Sequence, residues 1–385
     1  MSKRIFFTVG EVSGDNHAAG AIAALKRLDP SLQIDAVGGP AMAQAGAVVH
    51  TETTKRAAMT WHGVKRVGEI RRIEKWLIER YRSSERPDLH VCVDSSGFNL
   101  RFAAMAKRAE VPTLYYVAPQ LWASREGRIK QVRASVDRLA CIFPFEEKWF
   151  GDRGVNATFV GHPLFDHLPP NRFDRIPHLR YPDRAPVIGV VAGSRRSEVK
   201  ANFPPLLDAM KLIAAAHPTA RFLLPTTPAG QELIGSDEYA AELDALDCTI
   251  QQDAFDELIP QCDLVLCKSG TSTVHVAAYA VPMVVVYRIN MLLWKAAGQF
   301  LVKTPKIAMV NILAGNIELV PEIIPWNGDP QIVANEALKM LAEPERLADL
   351  RVKLRELIRP IEAPGASENV ARMALEMLGC PAIAL

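Results

Sequence analysis

The 385-residue chain carries little net charge, no long apolar run and no clustered cysteines. Its 45 Lys and Arg residues against 43 Asp and Glu residues leave a formal charge of +2, which provides no overall field for nucleic acid, so anionic ligands have to be bound locally. The apolar runs, such as 281–287, fall far short of the roughly 20 residues of a membrane-spanning helix. The six cysteines include no CxxC pair or Cys/His cluster, which indicates reduced thiols in the cytoplasm and no metal site.

Branched apolar runs that alternate with helical stretches predict an α/β fold with two doubly wound parallel sheets. The predicted strands are residues 4–9, 34–37, 89–93, 113–117 and 139–143 in a first series, and 187–192, 221–224, 263–267 and 283–287 in a second. Two Rossmann-like domains of this kind would face each other across a cleft. Since parallel sheets bind ligands at the carboxyl ends of their strands, the chemistry is expected in the strand-to-helix loops.

Proline marks the expected boundary between the domains. Six prolines fall within residues 163–186, where no strand or helix period survives, and this segment is the predicted linker. We therefore expect domains at 1–170 and 185–358. A second interruption at 359–365 precedes a helix at 366–385, which could return to pack on the first domain.

The first strand-to-helix loop contains Gly10, Glu11, Ser13, Gly14 and Asp15. Its glycines permit close approach of a ligand to the backbone, and the amino end of the following helix can receive an anion. These residues are therefore candidates for substrate binding. A tight turn capped by Ser13 or Asp15 explains the same spacing equally well.

Two further loops of the first domain carry candidate residues. Asp94 directly follows an apolar strand, where a general base belongs, although capping of the next helix is equally consistent with the local sequence. Gln120, Trp122 and Arg125 lie in an aromatic, amide-rich loop that suits stacking on a sugar and bonding its hydroxyls. For Trp122, packing in the core is at least as good an explanation.

The second domain opens with a loop suited to an anion. Gly193, Ser194 and Arg195 follow its first strand and lead into a helix, and a backbone nest with a guanidinium is a natural phosphate site. For part of this motif the alternative is a surface ion pair between Arg196 and Glu198.

A similar loop contains Ser269, Gly270 and Thr271, after the strand that ends at Cys267. Its N–H groups, small hydroxyls and helix dipole would favour a diphosphate by about 0.3–1 kcal/mol or more. An ordinary Ser/Thr helix cap is the competing explanation. Two anion-suited loops in one domain suggest that this domain holds a phosphorylated donor.

Residues 65–82 form a basic segment with seven basic and three acidic residues, a local charge of +4. Its apolar residues are spaced for one face of a helix, and Trp61 and Trp76 add aromatic anchors. Such a helix can lie on an anionic membrane surface. The alternative is an ordinary domain helix with its apolar face in the core and its basic side in solvent.

Ten segments, taken in order, resemble the lipid-A-disaccharide synthase family over nearly the whole chain. They are GEVSGD, VGGPAM, VDSSGFN, YYVAPQLWASR, FPFEEKWF, GVNATFVGHPL, GSRRSEV, KSGTSTVH, VPMVVVYR and NILAG. The resemblance implies the GT-B fold, with no metal or cofactor. It also implies an inverting transfer of 2,3-diacylglucosamine from its UDP donor to the 6-hydroxyl of 2,3-diacylglucosamine 1-phosphate, which forms the beta-1,6 disaccharide and releases UDP. The acylated acceptor implies peripheral attachment to the cytoplasmic face of the inner membrane. The resemblance leaves open whether the chain forms a homodimer.

The resemblance also assigns roles to individual residues. Asp94 occupies the position of the family's proposed base, and Arg195 that of an arginine important for activity. His275 stands where the family has a glutamate that bonds the nucleotide ribose, and Asn311, in the NILAG segment, joins the expected substrate-binding residues. Gly97 replaces a second aspartate.

The departures at Gly97 and His275 keep other functions open. One is a divergent relative that uses another acylated acceptor, and a second is a homologue that binds a nucleotide sugar or lipid without turnover. A third is a soluble GT-B epimerase, which would act on unacylated UDP-N-acetylglucosamine without an acceptor.

Overall fold

A computed structural model describes residues 2–54, 63–175, 180–288 and 304–380, with 63–67 and 175 described by their backbone alone. The chain divides into two compact units, Met1–His167 with Ile361–Leu385, and Leu168–Pro360. Trp61 of the predicted membrane segment and residues 381–385 of the predicted last helix lie outside the described residues.

The described part of the first unit is built on a seven-stranded parallel sheet in the order β3-β2-β1-β4-β5-β6-β7. The strands are β1 (Arg4–Val9), β2 (Gln33–Gly38), β3 (Val48–Glu52), β4 (Leu89–Val93), β5 (Thr113–Tyr116), β6 (Arg138–Cys141) and β7 (Ala157–Phe159). The helices are α1 (Val12–Leu28), α2 (Pro40–Gln44), α3 (Gly63–Arg82), α4 (Ser96–Arg108), α5 (Ile129–Ser135), α6 (Pro144–Gly151) and, after the chain returns, α15 (Ala366–Met377).

The described part of the second unit has a six-stranded parallel sheet in the order β10-β9-β8-β11-β12-β13. The strands are β8 (Val187–Val191), β9 (Arg221–Thr226), β10 (Asp247–Gln252), β11 (Leu264–Lys268), β12 (Met283–Arg288) and β13 (Glu322–Trp326). The helices are α7 (Arg196–Ala216), α8 (Pro228–Ile234), α9 (Asp237–Asp244), α10 (Phe255–Leu258), α11 (Ser272–Ala278), α12 (Met309–Leu313), α13 (Pro330–Leu341) and α14 (Pro344–Ile358).

The central strands are largely buried, because helices cover both faces of a parallel sheet. All five residues of β4 and of β8 are buried. The polar side chain in β4, His90, is 0% exposed, and its ring nitrogens lie 2.9 Å from Thr8 Oγ1 and 2.5 Å from Tyr81 Oη. Burial lowers the pKa of His90 to about 3, so this histidine is a neutral, hydrogen-bonded core residue.

The chain returns to the first unit through α15, which packs on α1. The carboxylate of Asp166 accepts hydrogen bonds from the N–H groups of Gly365, Ala366 and Ser367 at 2.6, 3.0 and 2.8 Å. It therefore satisfies donors at the amino end of α15 and complements the helix dipole. None of the described helices combines the length and the apolar character needed to span a bilayer.

Candidate active-site loops

Each sheet reverses its strand order at one point, and the candidate loops lie there. In the first unit the reversal falls between β1 and β4, and in the second between β8 and β11. These strands are directly paired, so loops 10–15 and 94–99 adjoin in the first unit, and loops 193–198 and 268–275 in the second. Open α/β sheets bind ligands at such switch points.

Asp94 leaves β4 in a backbone conformation that residues with side chains seldom adopt. Its φ is +55°, and that of Ser95, the N-cap residue of α4, is +44°. The Asp94 carbonyl accepts hydrogen bonds from Tyr115 Oη at 2.7 Å and Asn99 Nδ2 at 2.9 Å, which hold the turn. The half-buried Asp94 carboxylate accepts a hydrogen bond from Ser13 Oγ at 3.3 Å. Backbone strain of this kind often accompanies functional sites. The N-cap position belongs to Ser95, whose side chain makes no cap bond.

Two glycines bring loop 10–15 against the end of β4. A Cβ at Gly10 would lie 3.2 Å from the Phe98 ring, and one at Gly14 would lie 3.0 Å from Val9 Cγ1 and 3.4 Å from the Val93 carbonyl oxygen. Larger residues would push the start of α1 away from the sheet. Glu11 is the N-cap residue of α1.

Asp15 supports the fold instead of facing a ligand. Its side chain is 2% exposed and accepts hydrogen bonds from the N–H groups of Gly39, Ala41 and Met42 at 3.0, 3.0 and 3.3 Å. Three backbone donors occupy both carboxylate oxygens. The structure therefore corrects the prediction that Asp15 contacts substrate: this carboxylate holds the turn between β2 and α2.

The loop after β5 separates its three candidates. Gln120 and Arg125 are exposed, so a substrate can reach both. Trp122 is 8% exposed, its Nε1 donates to Oε1 of Glu146 at 3.0 Å, and its ring meets Phe145 edge-on at 5.1 Å. The sugar-stacking prediction for Trp122 is therefore corrected in favour of core packing.

The loop at 193–195 has the predicted nest shape, but a carboxylate of the same chain already lies in it. The φ of Gly193 is +130°, and the N–H groups of Ser194 and Arg195 donate to Oε2 of Glu198 at 3.2 and 3.4 Å. Lys268 Nζ lies 2.9 Å from Oε1. Burial alone would raise the pKa of Glu198, but Lys268, the Ser194 N–H and the charge of Arg195 together lower it. Glu198 is therefore an anion bound by its own loop.

Sequence reasoning missed the partners of Glu198. Arg196, the partner expected from local spacing, pairs with Glu232 at 2.7 Å, with both side chains largely exposed. Lys268 comes from β11, 70 residues along the chain from Glu198, and no local pattern could reveal the pair. Among the described residues, no group of three or more His, Cys, Asp or Glu side chains could hold a metal ion.

Loop 269–271 is fixed to the end of the second sheet. The N–H of Ser269 donates to the Val286 carbonyl at 2.7 Å, while Gly270 and Thr271 are exposed. Thr271 is the N-cap residue of α11, but its hydroxyl makes no cap bond. The geometry therefore does not favour an ordinary Ser/Thr helix cap at this loop.

The sequence of these loops and of the surrounding domains matches a known family. A model of the family described as Lipid-A-disaccharide synthetase matches residues 5–376. This chain belongs to that family. The Lipid-A-disaccharide synthase of Anaeromyxobacter dehalogenans strain 2CP-C is 36% identical over 380 residues, which cover 98% of each chain, and that of Geobacter metallireducens is 33% identical over 381 residues, again covering 98% of each. The chain is thus a glycosyltransferase of lipid A biosynthesis.

Solved structures show the same fold at much lower identity. The UDP-GlcNAc 2-epimerase of Neisseria meningitidis, bound to UDP-GlcNAc, has a TM-score of 0.62 and 12% identity, with 98% of this chain and 100% of that chain covered. The UDP-GlcNAc 2-epimerase of Methanocaldococcus jannaschii, in complex with UDP-GlcNAc and UDP, has a TM-score of 0.59 and 13% identity, with 97% and 99% covered. These similarities confirm the predicted GT-B fold of two Rossmann-like domains, and at such identity they show the fold alone.

His275, which the resemblance assigns to the ribose contact, is held by a carboxylate. Its Nε2 lies 2.6 Å from Oδ1 of Asp256, and Tyr279 Oη donates to the same oxygen at 2.9 Å. Phe255 stacks on the His275 ring at 4.1 Å and 25°. His275 is therefore an oriented imidazole next to an acid, Asp256, that no local sequence pattern indicated.

Asn311 cannot contact a substrate directly. It is 0% exposed, its Nδ2 donates to the Val320 carbonyl at 2.9 Å and to Glu322 Oε2 at 3.0 Å, and its Oδ1 accepts from the Val320 N–H at 2.9 Å. The structure corrects its place among the substrate-binding residues, since this amide holds α12 against the start of β13.

Helix α3 uses its apolar face inside the first unit. Ile73, Leu77 and Tyr81 are 3%, 0% and 6% exposed and pack in a core with residues of β1, β2 and α4. Trp76 packs partly against the same core, with its ring 5.6 Å from that of Phe6. The described apolar face of α3 is therefore packed in the core, as an ordinary domain helix requires, and the exposed face carries a net positive charge. Its basic residues include Arg71, Arg72, Lys75 and Arg82.

Proposed function

We propose that the chain transfers 2,3-diacylglucosamine, with inversion, from UDP-2,3-diacylglucosamine to the 6-hydroxyl of 2,3-diacylglucosamine 1-phosphate. The products would be the beta-1,6-linked disaccharide 1-phosphate and UDP. The observation that carries this proposal is the family match over residues 5–376, which includes Asp94 and Arg195 at the switch points of their sheets. The first unit would supply the base and receive the acceptor, and the second would hold the donor.

Asp94 is proposed as the general base. Its carboxylate takes the proton of the acceptor 6-hydroxyl while that oxygen attacks the anomeric carbon and the bond to the UDP oxygen breaks on the opposite face. The carboxylate stands at the end of β4, and the turn behind it is held by Tyr115 and Asn99. A base positioned in this way typically contributes about 10² to 10⁴ in rate. Ser13 would orient the carboxylate.

The donor diphosphate is proposed to bind at loops 193–195 and 269–271. Arg195 and Lys268, together with N–H groups at the start of α7 and α11, would offset the charge that develops on departing UDP. His275, oriented by Asp256, would bond a ribose hydroxyl of the nucleotide. The structural relatives crystallised with UDP-GlcNAc support a nucleotide-sugar site on this fold.

The acceptor is a lipid, so the first unit is proposed to work at the cytoplasmic surface of the inner membrane. Because the apolar face of α3 is buried, the attraction would come from its exposed basic face, at about 1 kcal/mol for each Lys or Arg near an anionic surface. Such binding should weaken steeply as salt is raised.

A two-substrate assay tests the proposal directly. Purified protein with both acylated substrates should release UDP and form the disaccharide phosphate, identified by mass spectrometry. Asp94→Asn should lower kcat by about 10² to 10⁴ and leave UDP affinity unchanged. Asp152→Asn is the matched control, since Asp152 is an exposed aspartate paired with Lys148 at 2.9 Å. Absence of product at high enzyme concentration would rule out the synthase activity. Full activity of Asp94→Asn would rule out Asp94 as the general base.

The same preparation separates the other functions. A homologue that only binds, which the departures at Gly97 and His275 motivate, would be stabilised by UDP in a thermal-shift assay but would release no UDP from donor and acceptor. An epimerase would convert unacylated UDP-N-acetylglucosamine with no acceptor present. Product formation that is lost in Asp94→Asn excludes both.

A further inference from the structure

Glu198 brings a carboxylate to the place where the donor diphosphate is proposed to bind. Its Oε2 accepts the N–H groups of Ser194 and Arg195 at 3.2 and 3.4 Å, and its Oε1 lies 2.9 Å from Lys268 Nζ and 3.5 Å from Arg195 Nη1. A Cβ at Gly193 would lie 2.7 Å from the Cβ of Glu198, so only glycine lets the backbone come this close. Two amides, an ammonium and a guanidinium thus surround one carboxylate, which is the donor set of a phosphate site.

A capping box accounts for only half of this arrangement. In α7 the N-cap residue is Arg195 and the N3 residue is Glu198, so the bonds to Oε2 are those of a helix cap. The bond from Oε1 to Lys268 has no part in a cap. It joins the loop after β8 to the end of β11 across the switch point, and both side chains are well shielded, at 15% exposed for Lys268 and 19% for Glu198. Glu198 therefore does more than cap its helix, since it also joins the two loops.

We propose that Glu198 is a positioning residue that serves as an internal counter-ion for the diphosphate site. In the free enzyme it keeps Lys268 and Arg195 directed at the site. When UDP is bound, its carboxylate competes with the diphosphate for the same two cations, which weakens the hold on the product that has to leave. This inference rests on the proposed function, because it assumes that the diphosphate binds at this switch point.

The proposal predicts that removing the charge of Glu198 tightens the binding of UDP. Glu198→Gln keeps a carbonyl oxygen for the Ser194 and Arg195 N–H groups, so the cap is retained while the competing charge is lost. Because a charge-assisted bond between partly shielded groups is released, the affinity for UDP, measured by calorimetry at low salt, should rise about tenfold. Uridine, which carries no phosphate, should bind equally well to both proteins, and the gain for UDP should shrink at high salt. If Glu198 only shaped the helix, its replacement would change the affinities for UDP and for uridine equally.

A second variant keeps the test decisive if Glu198→Gln folds poorly. Lys268→Met should weaken UDP binding with no effect on uridine, and in the double variant the gain from Glu198→Gln should be smaller than in the single one, since one of the two released cations is gone. Wild-type protein that does not bind UDP would refute the proposed donor site itself. If the wild type binds UDP but Glu198→Gln does not bind it more tightly, the counter-ion role of Glu198 is refuted and the donor site is not. Equal changes in affinity for UDP and uridine would refute the same role.

Discussion

The buried carboxyl group of Glu146 predicts a stability change that is confined to a narrow pH range. Glu146 is 1% exposed and accepts hydrogen bonds from Trp122 Nε1 at 3.0 Å and from the N–H groups of Ile142 and Phe143 at 3.2 Å each. Burial raises its pKa from 4.5 to about 7, although these three hydrogen bonds act to lower it. Because the pKa is higher in the folded state, the folded chain binds the extra proton between pH 4.5 and 7.

The sign and size of the effect follow from this shift. Stability from Glu146 is fully present below pH 4.5 and is lost as the pH rises towards 7, since the unfolded chain then binds fewer protons than the folded one. A shift of this size corresponds to about 3 kcal/mol. That is a sizeable share of the roughly 5–15 kcal/mol by which folded proteins are stable.

Urea unfolding at a series of pH values measures this contribution. Glu146→Gln cannot titrate, so the difference in unfolding free energy between wild type and variant should change by about 3 kcal/mol across the window, always in the direction of a relatively weaker wild type at higher pH. Glu147→Gln makes the same chemical change one residue along, at an exposed position, and should keep the wild-type pH dependence. Parallel curves for wild type and Glu146→Gln would refute the reasoning.

The hydrogen bond from Trp122 to Glu146 allows the role of Trp122 to be tested. Replacing Trp122 with Phe removes one donor to Glu146 and should cost about 1–3 kcal/mol of stability, while KM for both sugar substrates stays unchanged. A raised KM without loss of stability would restore Trp122 to the substrate-binding residues and overturn the correction made from its burial.

Three further predictions concern the frame around the site. Asp166→Ala should lower stability by about 1–2 kcal/mol, because three backbone donors at the start of α15 lose their acceptor. Hydrogen exchange of these amides should become faster, and unchanged exchange would contradict the capping role of Asp166. Gly193→Ala should cost about 1–3 kcal/mol in urea, since φ is +130° and Glu198 is too close, whereas Gly97→Ala, where a Cβ meets nothing within 4 Å, serves as the tolerant control. Asp263→Asn should lower the free energy of unfolding by about 3–5 kcal/mol, because this carboxylate is 1% exposed and pairs with three arginines; a loss below 1 kcal/mol would count against this.

The success of the strand predictions depended on where each strand lies in its sheet. The nine predicted strands are the interior strands of the two sheets, each within about two residues at either end. Among the strands that the structure describes, the four that were missed, β3, β7, β10 and β13, are the edge strands of the two sheets. Interior strands of a parallel sheet are covered on both faces and read as apolar runs, whereas β10, with the sequence DCTIQQ, has no buried residue. A sequence pattern indicates which residues are buried. It therefore identifies the interior strands of a sheet and misses the edge strands.

The sequence predicted which loops follow the strands at the switch points, but not what their side chains bond. Loop positions follow from strand order, because carboxyl ends of neighbouring strands must meet. Whether a polar side chain faces a ligand depends on what else it bonds, and Asp15, Trp122 and Asn311 each bond within the chain. Their partners lie 24, 24 and 9 residues away, at spacings that no helix or strand period specifies.

Three acidic side chains that accept hydrogen bonds from backbone amides differ in how far they are buried. Asp15 and Glu146 are 2% and 1% exposed, so no ligand can replace them without opening the fold. The side chain of Glu198 is 19% exposed and faces Lys268 and Arg195 as well as amides. Under the proposed function, an incoming diphosphate would compete with Glu198 for those cations while the helix cap stays in place, because the cap uses the other carboxylate oxygen. The carboxylate best suited to regulate an anion site is therefore the one that is partly open to solvent and bonded through both oxygens to different partners.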